Sequence, residues 1–195
     1  KPVKRQVHDE WRQYNRSRSN NNEFVHFSIS ELDGVLESIK LGTAAGYEYI
    51  FPEFLKFLGS RARGWLCTFL GRVVSEKSVP KVWRQAKVVA PLKPGKDPKA
   101  VASYRPISLL SVPMKLLERL LLLRISPVLE SVLSPDQAGF RKKRSTCDQV
   151  LAITTFIENG FQRGLKTGAI FLDLTAAYDT VCHTGLLVKL SGVLP

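Results

Sequence analysis

The chain has 195 residues, 44% of them hydrophobic, which is room for one domain or a domain and a half and argues against wholesale disorder. Lys and Arg number 29 against 17 Asp and Glu, a net charge of +12. That excess suits a polyanionic partner, because clustered cations neutralise phosphates and release counterions, although many basic proteins never touch nucleic acid. Three scattered cysteines, Cys67, Cys147 and Cys182, with no CxxC pair, argue against a disulfide framework or a zinc site and for reduced thiols.

In chain order, residues 1–26 are polar and basic and read as an arm or linker, with the run Ser19-Asn20-Asn21-Asn22 near its end. Ser28 and Glu31 form a capping-box pair, and Leu32, Val35, Leu36 and Ile39 follow at helical spacing. Gly42 and Gly46 bracket a loop. A second helix is predicted from about Pro52, with Phe54, Leu55, Leu58, Trp65, Leu66, Phe69 and Val73 on a core face. Lys87–Leu92 reads as a short strand, Lys93–Pro98 (KPGKDP) as a basic turn, and Ser103–Ser108 as a second strand or extended turn. A long helix is predicted from about Pro113, with Met114, Leu117, Leu120, Leu121 and Ile125 inside, and Pro127 either kinks it or starts a new helix. Ser145 caps a helix through Ile157, Gly168–Leu174 (GAIFLDL) reads as a buried strand, and a last helix begins near His183. The most apolar stretch, Leu116–Leu123, carries Glu118 and Arg119 and is too short to span a bilayer.

Three constellations could carry chemistry. Asp173 lies at the end of the predicted buried strand, where a carboxylate costs free energy unless something compensates for it. A magnesium ion is one such compensation; a helix cap is the other reading. Tyr178 and Asp179 follow closely, and each has a structural alternative, a core ring and a cap or salt bridge. Lys93, Lys96 and Arg105 surround a turn joining two strands, and triphosphates are held by such charges, although an ordinary solvated hairpin has them too. Gln137, Gly139, Phe140 and Arg141, continuing into Lys142, Lys143 and Arg144, set an aromatic beside a basic run, as a nucleic-acid groove or a solvated loop would.

The order of these segments is itself informative. Val79-Pro80 with Trp83, then KPGKDP, Tyr104–Leu109 (YRPISL), Lys115–Arg119 (KLLER), Gln137–Arg141 (QAGFR) and Phe171–Val181 (FLDLTAAYDTV) closely resemble the reverse transcriptase domain of LINE-type (non-LTR) retrotransposons, jockey-like elements in particular. The resemblance runs from about residue 27 to the end. It implies an α+β right-hand polymerase, with mostly helical fingers and the first palm helix over residues 27–165 and the start of an incomplete palm over 166–195. It further implies RNA-directed DNA synthesis from an RNA template, a DNA primer and dNTPs, with two Mg2+ ions in the complete enzyme. By that resemblance Asp173 is the metal-binding catalytic carboxylate, assisted by the backbone carbonyl of Leu174. Tyr178 lies under the sugar of the incoming nucleotide, Arg105 contacts the triphosphate with Lys93 or Lys96 as helper, and residues 137–144 support the template.

Two departures from the family pattern stand out. Gly46-Tyr47-Glu48 stands where the family has Gly-x-Asp, which alters fingers packing or marks a decayed copy, and no Asp-Asp dipeptide occurs for the second metal-binding motif. The chain also opens on Lys1 rather than Met. It therefore reads as an N-terminal excerpt, inactive alone, from an intracellular protein of nucleus or cytoplasm, without a membrane or secretory segment. The competing reading is a non-catalytic nucleic-acid-binding remnant, or a silent relic, of such an element.

Overall fold

The computed structural model describes residues 2–17, 24–174 and 177–194. The chain divides into two compact units, residues 19–126 and residues 1–18 with 127–195.

The first unit, residues 19–126, holds the hydrophobic core. Helix α2 (Ile29–Glu37) starts at the predicted capping box: the Ser28 hydroxyl accepts from the Glu31 N–H, and the Glu31 carboxylate accepts from the Ser28 N–H. Leu32, Val35 and Leu36 then point inward. The predicted second helix is two, α3 (Pro52–Lys56) and α4 (Ser60–Ser75). The break has a local cause. Gly59 is a poor helix-interior residue and becomes the N-cap of α4. Arg63 takes the orphan carbonyls left behind, donating to Lys56 O at 3.0 Å and Leu58 O at 2.9 Å, while its other arm reaches Asp33 at 2.5 Å. The split also rotates side chains, so Phe54 and Trp65, expected inside, are 61% and 65% exposed. Trp65 stacks on Phe69, whose edge meets the buried Trp83.

Helix α4 buries Leu66, Cys67, Leu70 and Val73. Gly71 is required there by a close approach: a Cβ would fall on the Val25 carbonyl oxygen. Ser75, one turn on, receives the Val25 N–H at 2.7 Å and donates back to Gly71 O. The two small residues thus bind the extended segment before α2 edge-on to the helix.

Strands β1 (Lys87–Val89) and β2 (Ile107–Leu109) pair antiparallel, with Val88 opposite Ser108, and a Leu92–Tyr104 bridge continues the ladder toward the turn. Two residues, Leu110 and Ser111, separate the sheet from helix α5 (Val112–Val132). Its first turns bury Val112, Leu116, Leu117 and Leu120. Glu48 Oε1 accepts from the Val112 N–H at 3.0 Å, so the glutamate of the divergent Gly-Tyr-Glu segment serves the orphan donors of this helix. Gly46 lets that loop in: a Cβ would sit 2.7 Å from Ser111 N. Pro127 neither ends α5 nor starts another helix. Its missing N–H frees the carbonyl four residues back, in an exposed stretch where water can serve it. Arg124 leaves the same helix to hold the α2 cap, with Nε to Glu31 Oε1 at 2.8 Å and its guanidinium over the Phe27 ring at 4.5 Å. That pairing, with the Ser28 N–H, holds the Glu31 carboxyl down to about 2.

In the second unit, the expected polar arm is helix α1 (Pro2–Ser17); residues 18–23 lie outside the described chain. Val7, Trp11 and Tyr14 are its half-buried positions, one stripe at helical spacing hidden by a polar composition. Helix α1 packs on α7 (His183–Ser191). Between them α6 (Thr146–Gln162) is capped as expected by Ser145, here with Asp148, and buries none of its residues. The predicted buried strand at 168–174 is absent. Among the described residues no strand pairs with it, and Ile170, Phe171 and Leu172 are 85–91% exposed. A segment without a ladder partner satisfies its N–H and C=O groups with water instead.

Candidate nucleotide and nucleic-acid site

The basic turn is built by its own backbone. Asp97 accepts from the Lys99 N–H, Gly95 supplies a φ of 68°, and Lys93 N and Arg105 N bond to Ser103 O and Pro91 O, closing the two arms. Tyr104 Oη donates to Pro98 O at 3.0 Å and staples the tip. The three cations differ in commitment. Lys93 is half-buried and donates to Ala102 O at 2.6 Å, so it braces the turn. Lys96 and Arg105 are exposed and form no ion pair among the described residues. On β1, Lys87 lies over the Tyr49 ring at 5.7 Å. The turn, with Lys87 beside it, is a cationic edge able to take a polyphosphate.

The basic run after QAGFR divides in the same way. Arg141 is not a free cation. Its side chain is only 11% exposed, bonded to Glu130 at 2.6 Å and 3.0 Å and to the carbonyls of Ser134 and Gln137. Sequence reading missed Glu130, eleven residues back at the end of α5. The arginine folds the loop over itself, and Phe140 (φ 59°) and Lys143 (φ 60°) adopt left-handed backbone in it. The result is outward presentation: Phe140 is 99% exposed, and Gln137, Gly139, Lys142, Lys143 and Arg144 are exposed with it. A bare aromatic beside cations that form no ion pair among the described residues has the make-up of a surface able to stack a base and contact phosphate.

Asp173 and Leu174 are exposed at the end of the unpaired segment, and Tyr178 is 76% exposed in the following turn. Thr175 and Ala176, between them, lie outside the described residues. Asp179 is exposed too and does not cap α7, whose N-cap is Cys182. No group of three acidic, histidine or cysteine side chains able to hold a metal occurs among the described residues. Asp173 is thus one donor and not a complete magnesium site, and no chemical step can be routed through a metal on these residues alone. Beside this segment, the end of α6 and the chain that follows line an open cavity of about 450 Å³ that includes Arg163 and Lys166.

Arg105, Lys93 and Lys96 belong to one unit, and residues 137–144, Asp173, Leu174 and Tyr178 to the other. Each group has its own make-up: cations on a turn, a bare aromatic beside further cations, and a carboxylate with an aromatic five residues on. Residues 93–193 match the model of the family described as "Reverse transcriptase (RNA-dependent DNA polymerase)". The chain belongs to the reverse transcriptase family. This reverse transcriptase segment is 34% identical over 169 residues to the probable RNA-directed DNA polymerase from transposon BS of Drosophila melanogaster, covering 86% of this chain and 19% of that protein. It is 31% identical over 169 residues to the RNA-directed DNA polymerase from mobile element jockey of Drosophila funebris, 86% of this chain and 18% of the relative. With the probable polymerase from transposon X-element of Drosophila melanogaster it shares 30% identity over 192 residues, 97% of this chain and 21% of the relative. The chain therefore spans about a fifth of the length of the relatives it matches. Within the reverse transcriptase family its described architecture is a helical segment with one two-stranded antiparallel sheet. No helix of the described chain is long and apolar enough to cross a membrane.

Proposed function

We propose that the chain is part of the RNA-directed DNA polymerase of a jockey-like, non-LTR retrotransposon, with residues 27–165 as fingers and first palm helix and 166–195 as the beginning of the palm. The observation that carries the reading is the family match over 93–193, a span that includes the YRPIS turn and the FLDL segment. Its substrates are an RNA template, a DNA primer and dNTPs. Bound Mg2+ would supply charge neutralisation for phosphoryl transfer, and Asp173 with the Leu174 carbonyl would contribute ligands to it. Completion of that set needs further carboxylates than these residues bring together.

The chain's own residues do the positioning. Arg105 offers a planar fork to the triphosphate, Lys96 adds a mobile charge, and Lys93 keeps the turn that presents both. The Tyr178 face occupies the space a 2′-hydroxyl would need, so deoxyribonucleotides are preferred. Phe140 stacks on a template base while Lys142, Lys143 and Arg144 hold its backbone, and Arg141 shapes the loop. The setting is intracellular, where nucleic acid and dNTPs meet.

The test is primer extension by the longer polymerase that contains this chain. Asp173→Asn should abolish extension and leave template affinity near parental, because it removes charge and keeps shape. Equal loss of template binding and extension would instead point to a folding role, and extension that survives Asp173→Asn would refute the assignment. The non-catalytic reading predicts RNA binding with no extension by any longer form.

A further inference from the structure

The KLLER motif has no role so far beyond family likeness, yet its pattern is informative. Leu116 and Leu117 are 0% and 2% exposed and belong to the core. The helical period then sends Lys115 and Arg119, one turn apart, onto a common outer stripe. That stripe lines an open groove of about 370 Å³ together with Thr43 and the edges of the buried Ile39, Pro52, Val112 and Leu116, and Lys40 enters it from the segment after α2. Three cations therefore line one depression.

Nothing in the fold explains them. Like charges one turn apart on a helix destabilise it slightly when nothing compensates. None of the three takes part in an ion pair among the described residues. Two carboxylates of the neighbouring loop and helix serve backbone donors through one oxygen each, Glu48 Oε1 accepting from the Val112 N–H and Glu53 Oε1 from the Gly42 N–H, while Glu48 Oε2 is buried with no hydrogen-bond partner among the described residues. Glu37 and Glu118 are exposed and make no ion pair with the three cations. Arg119 spends one donor on Ser38 O at a long 3.5 Å, which orients its guanidinium and leaves the remaining N–H groups available.

We propose that Lys40, Lys115 and Arg119 form a phosphate-binding groove for a nucleic-acid backbone, separate from the basic run at 141–144. An open groove bordered by three cations from two separate segments matches a strand whose successive phosphates meet them along its length. The inference rests on the polymerase reading and adds to it a second backbone contact, on the core unit. It turns an uncompensated charge cluster into a site that a bound phosphate neutralises.

The experiment is a fluorescence-anisotropy titration of the full 195-residue chain with a labelled single-stranded oligouridylate at a series of salt concentrations. Parent chain is compared with Lys40→Gln/Lys115→Gln/Arg119→Gln and with the charge-keeping Lys115→Arg/Arg119→Lys. Each phosphate contact on a single strand adds about 0.7 to the slope of log affinity against log salt, so the triple variant should lose about 2 from it. Across a fourfold change in salt, that is roughly a 16-fold difference in how much affinity falls. The charge-keeping variant should retain the parental slope, and all three should share the parental circular dichroism spectrum.

Unchanged slope and affinity in the triple variant would overturn the groove while leaving the polymerase reading intact. A parent chain that binds no RNA at low salt would overturn both. Inorganic tripolyphosphate is the second arm: if it binds the parent and not the triple variant while the RNA slope stays parental, the site takes free polyphosphate and the backbone proposal fails.

Discussion

Replacing Arg141 by Ala and replacing Lys142, Lys143 and Arg144 together by Ala should have opposite signatures, although all four cations are neighbours in sequence. The Arg141 side chain is 11% exposed and bonded to Glu130 and two backbone carbonyls. Its removal strands a carboxylate and two acceptors. Hydrogen bonds to charged groups are worth about 1.5–3 kcal/mol each. Glu130 is 48% exposed and water can replace much of its partner, so the loss is nearer 1–3 kcal/mol in all. Arg141→Ala should therefore loosen the loop and lower Tm while leaving the salt dependence of RNA binding within about 0.7 of parental slope. The triple variant should do the reverse. Its residues are exposed and form no ion pair among the described residues, so Tm should hold and the slope should fall by about 2 if each meets one phosphate of a single strand. Thermal melts by circular dichroism and RNA titrations across salt measure the two effects independently. If Arg141→Ala flattens the slope as much as the triple variant and leaves Tm unchanged, the division into loop-shaping and phosphate-facing cations is wrong.

Gly71→Ala should destabilise the core unit by about 1–3 kcal/mol, because the new methyl meets the Val25 carbonyl, whereas Gly64→Ala in the same helix meets nothing within 4 Å and should stabilise by up to about 1 kcal/mol; urea melts of the pair check this. Glu31 is held at about 2 against its ordinary 4.5, chiefly by Arg124. A depressed carboxyl contributes stability that is present above its unfolded value and lost as pH falls toward the folded one. The core unit should therefore weaken between about pH 4.5 and pH 2, and Arg124→Ala, costing about 1–2 kcal/mol after allowance for partial exposure, should remove most of that slope. The 195-residue chain by itself should show no primer extension above background, since its described residues bring no metal-holding cluster together, and magnesium-dependent dNTP incorporation would refute this. In a longer polymerase containing the chain, Tyr178→Val should admit ribonucleotides, seen as a roughly hundredfold fall in the dNTP to rNTP ratio of kcat/KM, a difference of about 2.7 kcal/mol.

Much of the local structure is readable from residues alone because it is decided within one helical turn. Ser28 with Glu31 and Ser145 with Asp148 place two helix starts, and the turn at Lys93–Pro98 follows from Pro, Gly and Asp in their ordinary turn positions. The ordered motifs likewise identify the family, since order along a chain is a property of sequence. They also mark Arg105, Asp173 and Tyr178 as the residues to question, whatever the chain packs against.

Tertiary structure decided what depends on partners remote in sequence. GAIFLDL has the composition of a buried strand, but a strand is defined by the ladder beside it, and none of the described residues pairs with this one. The arm at the start becomes helix α1 because a stripe of Val7, Trp11 and Tyr14 finds α7, more than 160 residues away. Glu48 looks like a damaged motif in the sequence, and only the fold puts its carboxylate on the Val112 N–H, 64 residues on. Arg141 reads as one of four equal cations until Glu130 claims it. Lys40 joins Lys115 and Arg119 only because the core brings the end of α2 against α5. Propensity, caps and turn chemistry act over a few residues and are written in the sequence; burial, strand pairing and the commitment of a charge depend on long-range packing.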